Sequence, residues 1–408
     1  MGVAMKLVSI PSEQYDNYRL DVIFDGYKWD PQFSDNNTIA KHILLLSEKE
    51  HQELEELTEK LDYETVQAER VLNRNLPLAS SLRLPRKIKK ELKKMNNYHP
   101  DQHIRLMRYD FHPTIDNNWV ISEVNSDVPG GFAEASIMPK IANKRFINGA
   151  YWHKDFSEVI TDVIAKKVEP ECRIMMIHCT SYSDDRQVMQ FLGDKLNHLG
   201  FEVIYGAADH LRFKDGEAIS VLDGNTGAVD VIFRFTPLEW LIQMKPKHWS
   251  GYFDTLTVSC NHPIAIFAQT KRFPFVWKPL EKLGLSFQTW RALLPETLEV
   301  KEAKNKTGFI YKPANGRVGE KISIKEACDG DEYEKILKDV RRHPHSYVAQ
   351  KRFESKPLLS EEGELFHVCI GVYCVEGKAA GYYARMSQKP RIDSSAGDIP
   401  VLIERSKK

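Results

Sequence analysis

Apolar positions recur along this chain with two different periods, and the switches between them mark its elements. From Ser47 onward, Leu54, Leu57, Leu61 and Leu72 share one helical face with Glu and Lys opposite, and Ser47 with Glu50 carries the Ser-x-x-Glu signature of a capped helix start. Residues 86–94, RKIKKELKK, read as a solvated helix face. Between His103 and Gly131 the period drops to two. Arg108 and Asp110 fall on one face of a strand, Tyr109 and Phe111 on the other. Pro113 and Asp116-Asn117-Asn118 supply a turn, and 119–125 returns as a second strand with Glu123 and Asn125 on one face. From about Glu171 the texture is α/β: strands at 173–178, 201–205, 218–222 and 229–235, with an amphipathic helix at 184–199 closed by Gly200. That pattern predicts a small Rossmann-like unit. Residues 308–324 read as strand, glycine loop, strand; 346–353 as a strand; and 366–374 with 378–385 as a hairpin around Glu376-Gly377. Residues 1–40, with Tyr15, Tyr18, Tyr27, Trp29 and Phe33 among Asp, Asn and Pro, read as an ordered, loop-rich segment in which aromatic packing outweighs a role as a substrate wall.

At 408 residues the chain is long enough for two or three domains with a sizeable core. The pattern divides it at 1–170, 171–265 and 266–408. Lys+Arg and Asp+Glu both number 57, so no global field favours nucleic acid or a membrane, and a polyanionic ligand needs a locally built cationic site. No apolar run reaches the length of a membrane span, and the start lacks the apolar region of a signal peptide. Six cysteines without CxxC spacing read as reduced thiols in a cytoplasmic protein. No GxGxxG opens the helix of the Rossmann-like unit, which argues against NAD.

Two stretches carry chemistry. An antiparallel hairpin over 108–125 gathers Arg108, Asp110, Glu123 and Asn125 on one face. Two carboxylates and an amide oxygen, without His or Cys, form a hard site suited to Mg²⁺ rather than zinc. The rival reading is a salt-bridge network, but an exposed pair is worth only about 0–1 kcal/mol, a weak reason to gather two acids and an arginine. The second stretch, GFIYKPANGRVGEKISI at 308–324, sets Lys312, Arg317 and Lys321 among Gly316 and Gly319. Glycines allow close backbone approach and the cations suit phosphate oxygens, so the loop reads as a flap over a polyphosphate; a charged surface hairpin is its rival. It is no P-loop, since no GxxxxGK[ST] precedes a helix. Lys271 precedes an aromatic cluster, Gln350 and Lys351 with the backbone of 352–353 are candidates for holding a nucleotide base, and Arg385 ends the last hairpin. DVPGGFAEA at 127–135 reads as a substrate loop before a helix.

RYD…EVNSD at 108–127, FRFTPLEWL at 233–241, Lys271, YKPANGRVGEKI at 311–322 and GYYAR at 381–385 together resemble the synthetase part of glutathionylspermidine synthases. The resemblance spans roughly residues 100–395. It implies an ATP-grasp fold, mixed α/β, in permuted order, with metal residues preceding nucleotide lysines. By that resemblance Asp110, Glu123 and Asn125 bind Mg²⁺, Lys271 and Lys312 bind ATP phosphates, and Arg317–Gly319 close over the γ-phosphate. Arg108 and Arg385 stabilise developing charge. The implied activity is an ATP-dependent carboxylate–amine ligase: an acid is activated as an acyl phosphate and a small-molecule amine attacks, releasing ADP and phosphate. The alternatives are a phosphotransferase on the same scaffold or a non-catalytic nucleotide-binding protein. The loop reads GRVG, and SDVPGGFAEAS departs from the family's usual run, so the acid need not be glutathione. The Cys/His amidase constellation of longer members is not found here.

Overall fold

The structure is a computed structural model and describes residues 5–96, 98–147, 151–304, 306–316, 319, 321–328 and 330–405. The helix expected from Ser47 runs Glu48–Arg74, and its cap is reciprocal: Glu50 N donates to Ser47 Oγ at 3.2 Å while Ser47 N donates to Glu50 Oε2 at 2.9 Å. Its apolar stripe, Leu54, Leu61, Ala68 and Leu72, is fully buried. The stripe packs against a central antiparallel sheet whose strand order is Gly397–Ile399, Lys378–Ser387, Leu365–Val375, Leu106–Pro113, Trp119–Asn125. Strand alternation divides this sheet by face. Tyr109, Phe111, Ile370 and Val372 pair across two strands in the core under the helix. Arg108, Asp110, Cys369, Gly371, Tyr383 and Arg385 line a cavity on the other face.

The Rossmann-like unit is a parallel sheet in the order Val258–Cys260, Val231–Arg234, Arg173–Ile177, Glu202–Gly206, with helix Ser183–His198 as the crossover. One expectation changes here. Glu217–Ser220 belongs to a separate antiparallel meander with Leu211–Lys214 and Gly227–Val229. Positive-φ turns at Asp215-Gly216 and Gly224 reverse the chain, and a parallel strand would need a crossover of a dozen or more residues.

Two further readings are corrected. Residues 322–324 form no strand. Phe309–Pro313 pairs instead with Tyr347–Lys351, and among the described residues only a Tyr311–Ser323 exchange ties the two halves of the glycine stretch. Positive φ at Gly319 and Lys321 turns the chain away from hairpin geometry. The loop read at 127–135 is followed by the expected helix, Ile137–Ala142. The opening segment contains a helix, Ser12–Phe24, burying Tyr15, Tyr18 and Val22, whose i, i+3, i+7 spacing is the signal that the aromatic-rich composition hid. A last sheet joins the two ends of the chain: Val401–Glu404 runs parallel to His42–Leu46, which pairs with Lys6–Ser9. Among the described residues no helix is long and apolar enough to cross a membrane.

Candidate functional site

The hairpin face forms as the alternation dictates. Arg108 lies opposite Asn125 and Asp110 opposite Glu123, with a register shift after Asp110. The Arg108 guanidinium grips Asp110 in two bonds, Nε–Oδ1 at 2.8 Å and Nη2–Oδ2 at 3.0 Å, and its Nη1 donates to Gly130 O at 2.7 Å. Its flat face stacks on the Tyr383 ring, 4.7 Å from the centroid. Asn125 Nδ2 donates to Asp110 Oδ2 at 2.9 Å, which turns its amide oxygen outward from that bond.

Two lysines meet this face from other elements. Lys271 Nζ sits 2.7 Å from Glu123 Oε2 and donates to Gly316 O at 2.8 Å, so one ammonium ties the acidic hairpin to the glycine loop. Burial pushes the Glu123 carboxyl up, but Lys271, Lys312 and Arg108 outweigh it and hold its pKa below the usual range. Lys312, on Phe309–Pro313, is buried with its Nζ 3.5 Å from Ser122 O. Burial and then the charge of Lys271 depress its pKa to about 8, against the pull of Glu123. Gln269, two residues before Lys271, accepts from both Ser126 N and Asp127 N at 2.8 Å, which registers the lysine against the end of the hairpin.

Arg108, Asp110, Ser122, Glu123, Asn125, Lys271, Lys312 and Tyr383 line one cavity of about 810 Å³, together with Gly316, Gly319 and Arg385. Gly319 has φ +68°, and a Cβ there would stand 2.4 Å from Ile392 O, so the loop seats on residues 392–393 only as glycine. Arg385 Nη2 donates to the same carbonyl at 3.3 Å. Arg317 lies outside the described residues. Gln350 and Lys351 do not line the cavity: Gln350 is buried against Thr297 with Nε2–Oγ1 at 3.1 Å, and Lys351 is exposed. Arg352 and Phe353, two residues further, do line it. The strand period puts adjacent residues on opposite faces, so which end of 346–353 faces the cavity is decided by pairing.

Several lining residues escaped the sequence reading. His112 continues the Arg108, Asp110 parity and could have been found by it. Cys369 and Tyr383 come from the distant hairpin by register alone. Burial, then Asp110, keeps the Cys369 thiol protonated. Gly371 lies directly opposite Asp110, and a Cβ built on it would fall 2.7 Å from Arg108 Cδ and Nε and 2.9 Å from Asp110 Oδ1. Its backbone has no need of glycine, since its φ is not positive. Gly371→Ala is therefore expected to preserve the fold by circular dichroism while displacing the Arg108–Asp110 pair. A misplacement of this size costs about 10²-fold in turnover. Full activity in that variant would show that the pair has no bearing on the site.

The donor set fits Mg²⁺. Asp110, Glu123 and Asn125 offer oxygen donors on one face. Lys271 takes only one oxygen of Glu123, and a carboxylate oxygen that accepts one hydrogen bond keeps a second lone pair. Among the described residues no group of three or more His, Cys, Asp or Glu is placed to hold a metal, and a set of two carboxylates and one amide would need water and substrate oxygens to complete an octahedron.

The profile of the glutathionylspermidine synthase pre-ATP-grasp family matches residues 11–404. No curated protein matches the chain. Among solved structures, a glutathione synthetase-like effector from Globodera pallida in its apo form superposes with a TM-score of 0.61 at 11% identity, covering 96% of this chain and 99% of that one. A putative gamma-glutamylcysteine synthetase from Methylobacillus flagellatus KT gives a TM-score of 0.43 at 12% identity, over 82% of this chain and 87% of the other.

Proposed function

The chain belongs to the glutathionylspermidine synthase pre-ATP-grasp family, with a mixed α/β fold of the ATP-grasp type, and from that membership we propose that it is an ATP-dependent carboxylate–amine ligase. In this reading the γ-phosphoryl group of ATP passes to the carboxylate of an acid, and an amine displaces phosphate from the acyl phosphate to form an amide. One observation supports it above the rest: two paired acids and two buried lysines from separate elements face a single cavity.

Phosphoryl transfer asks a protein for positioning and charge, not covalent chemistry. Lys271 and Lys312 would hold phosphate oxygens, and Arg108 and Arg385 would meet charge developing on the transferred group. Asp110, Glu123 and Asn125 would hold Mg²⁺, which when bound draws negative charge from phosphate oxygens. Glu123 now occupies Lys271, so a nucleotide would exchange a carboxylate partner for a phosphate one.

The test is ADP formation by the purified chain with Mg²⁺ and paired acids and amines. Release of inorganic phosphate that requires both partners supports the ligase. A phosphorylated acid that accumulates whether or not amine is present replaces it with a phosphotransferase.

Lys312 makes a pH prediction. With its pKa depressed to about 8, the amine is charged at pH 7 and largely neutral at pH 9. A triphosphate beside it restores the charged form, so binding above pH 8 takes up a proton and affinity falls as pH rises. Calorimetric titration of ATP at pH 7 and 9, in buffers of different ionisation enthalpy, is expected to show proton uptake at pH 9 only. Lys312→Arg, charged throughout, is expected to abolish that uptake.

A further inference from the structure

The same cavity has a wall of opposite charge. Asp30, Glu134, Asp184 and Asp398 line it, with Lys28 as the cation among them. Lys28 Nζ stands 2.6 Å from Glu134 Oε1 and 2.7 Å from Asp398 Oδ2, and these side chains are only 12%, 7% and 5% exposed. Burial opposes the ammonium, yet Asp398 and Glu134 hold its pKa well above the ordinary value. Asp398 Oδ1 also accepts from the Tyr383 hydroxyl at 2.8 Å, which orients that carboxylate. Glu134 is not saturated: its buried Oε2 makes no hydrogen bond. Burial, and the acids Glu134, Asp30 and Asp398, raise Asp184 against the pull of Lys28. The wall therefore has more carboxylate than its one lysine neutralises.

Lys28 is fastened in place from both sides. The preceding Tyr27 hydroxyl donates to Asp194 Oδ2 at 2.6 Å, and the following Trp29 N donates to Gln187 Oε1 at 2.8 Å. Both acceptors sit on helix Ser183–His198. Its own N donates to Val22 O at 3.1 Å, at the end of helix Ser12–Phe24. With the chain around it held at three points, Lys28 belongs to the wall rather than to a free strap.

We propose that Glu134 and Asp398 form a seat for a primary alkylammonium group and that Lys28 is its built-in occupant. The class of ligand follows from the chemistry: two buried carboxylates, one oriented by a phenol and one with a lone pair to spare, match a cation with three N–H donors. On the ligase reading, which this inference deepens, Lys28 is a specificity-determining residue. It removes from the cavity the best place for a cationic nitrogen, so the acceptor is an amine that leaves this seat untouched.

Lys28→Ala deletes three methylenes and the ammonium, the equivalent of n-propylammonium. Thermal unfolding of the full chain is to be followed with n-propylammonium chloride, n-propanol or sodium chloride. Propylammonium is expected to raise the midpoint of Lys28→Ala by at least about 2 °C while the two controls do not, and to leave the parent chain unchanged. The added change Glu134→Gln is expected to abolish the rise. Equal responses to all three additives, or none, would overturn the seat. If Lys28→Ala does not fold unaided, folding with propylammonium but not with propanol supports the seat, and failure with both overturns it. The readout separates the two claims. Rescue without amine-dependent ADP formation in either protein keeps the seat and removes the ligase reading, and amine-dependent ADP formation without rescue does the reverse.

Discussion

Asp127→Ala is expected to lower the free energy of unfolding by about 3–5 kcal/mol, the cost of stranding a buried charge whose partner is removed. Asp127 Oδ1 lies 2.6 Å from Arg234 Nη2, with the two side chains 2% and 0% exposed. Its other oxygen accepts from Leu238 N at 2.8 Å, at the first residue of helix Leu238–Leu241. Arg234 in turn donates to Thr236 O at 2.8 Å and Asn261 O at 3.3 Å. Deleting the carboxylate leaves a guanidinium in the core with neutral acceptors only. Urea unfolding with intact slope measures the loss, and a cost below about 1 kcal/mol would show that water or a neighbouring acid replaces the partner. The double change Asp127→Ala with Arg234→Met is expected to recover much of the loss, because it removes the stranded charge as well.

Asp110→Asn is expected to reduce acid- and amine-dependent ADP formation by about 10²-fold or more, the usual consequence of removing one preorganised electrostatic group from a transition state. The amide keeps the shape of the carboxylate but takes away the charge that orients Arg108 and that the proposed Mg²⁺ site would use. Circular dichroism and the unfolding midpoint guard against the trivial explanation, since the substitution also leaves Arg108 with a weaker partner. Parent-level turnover by a folded Asp110→Asn would remove this acid from the metal set and the hairpin from the chemistry. Glu123→Gln is the companion measurement. It frees Lys271 from its carboxylate, so nucleotide binding and turnover are expected to respond in opposite directions.

The parts that could be read early share one property: each depends on residues close in sequence. The Ser47–Glu50 cap, the 108–125 hairpin and the 365–387 hairpin all follow from local periodicity and turn residues, and all three stand in the structure. The parts that could not be read depend on partners far away. Residues 322–324 have strand-like alternation, yet the partner of Phe309–Pro313 comes from Tyr347–Lys351. The motifs at 123–127 and 233–241 were visible as separate signatures, but nothing local says that Asp127 closes on Arg234, 107 positions later.

Readable from the residues alone were the sign and hardness of the candidate site: Arg108, Asp110, Glu123 and Asn125 on one hairpin face, with cations elsewhere that would suit an anion. Side-chain alternation and turn chemistry act over a few residues and need no folded partner. Folding supplied the rest: Lys271 reaches Glu123, Gly371 makes room for the Arg108–Asp110 pair, and Lys28 fills the opposite wall. Those are distances between separate elements, set by sheet register and core packing, and a local pattern carries no record of either.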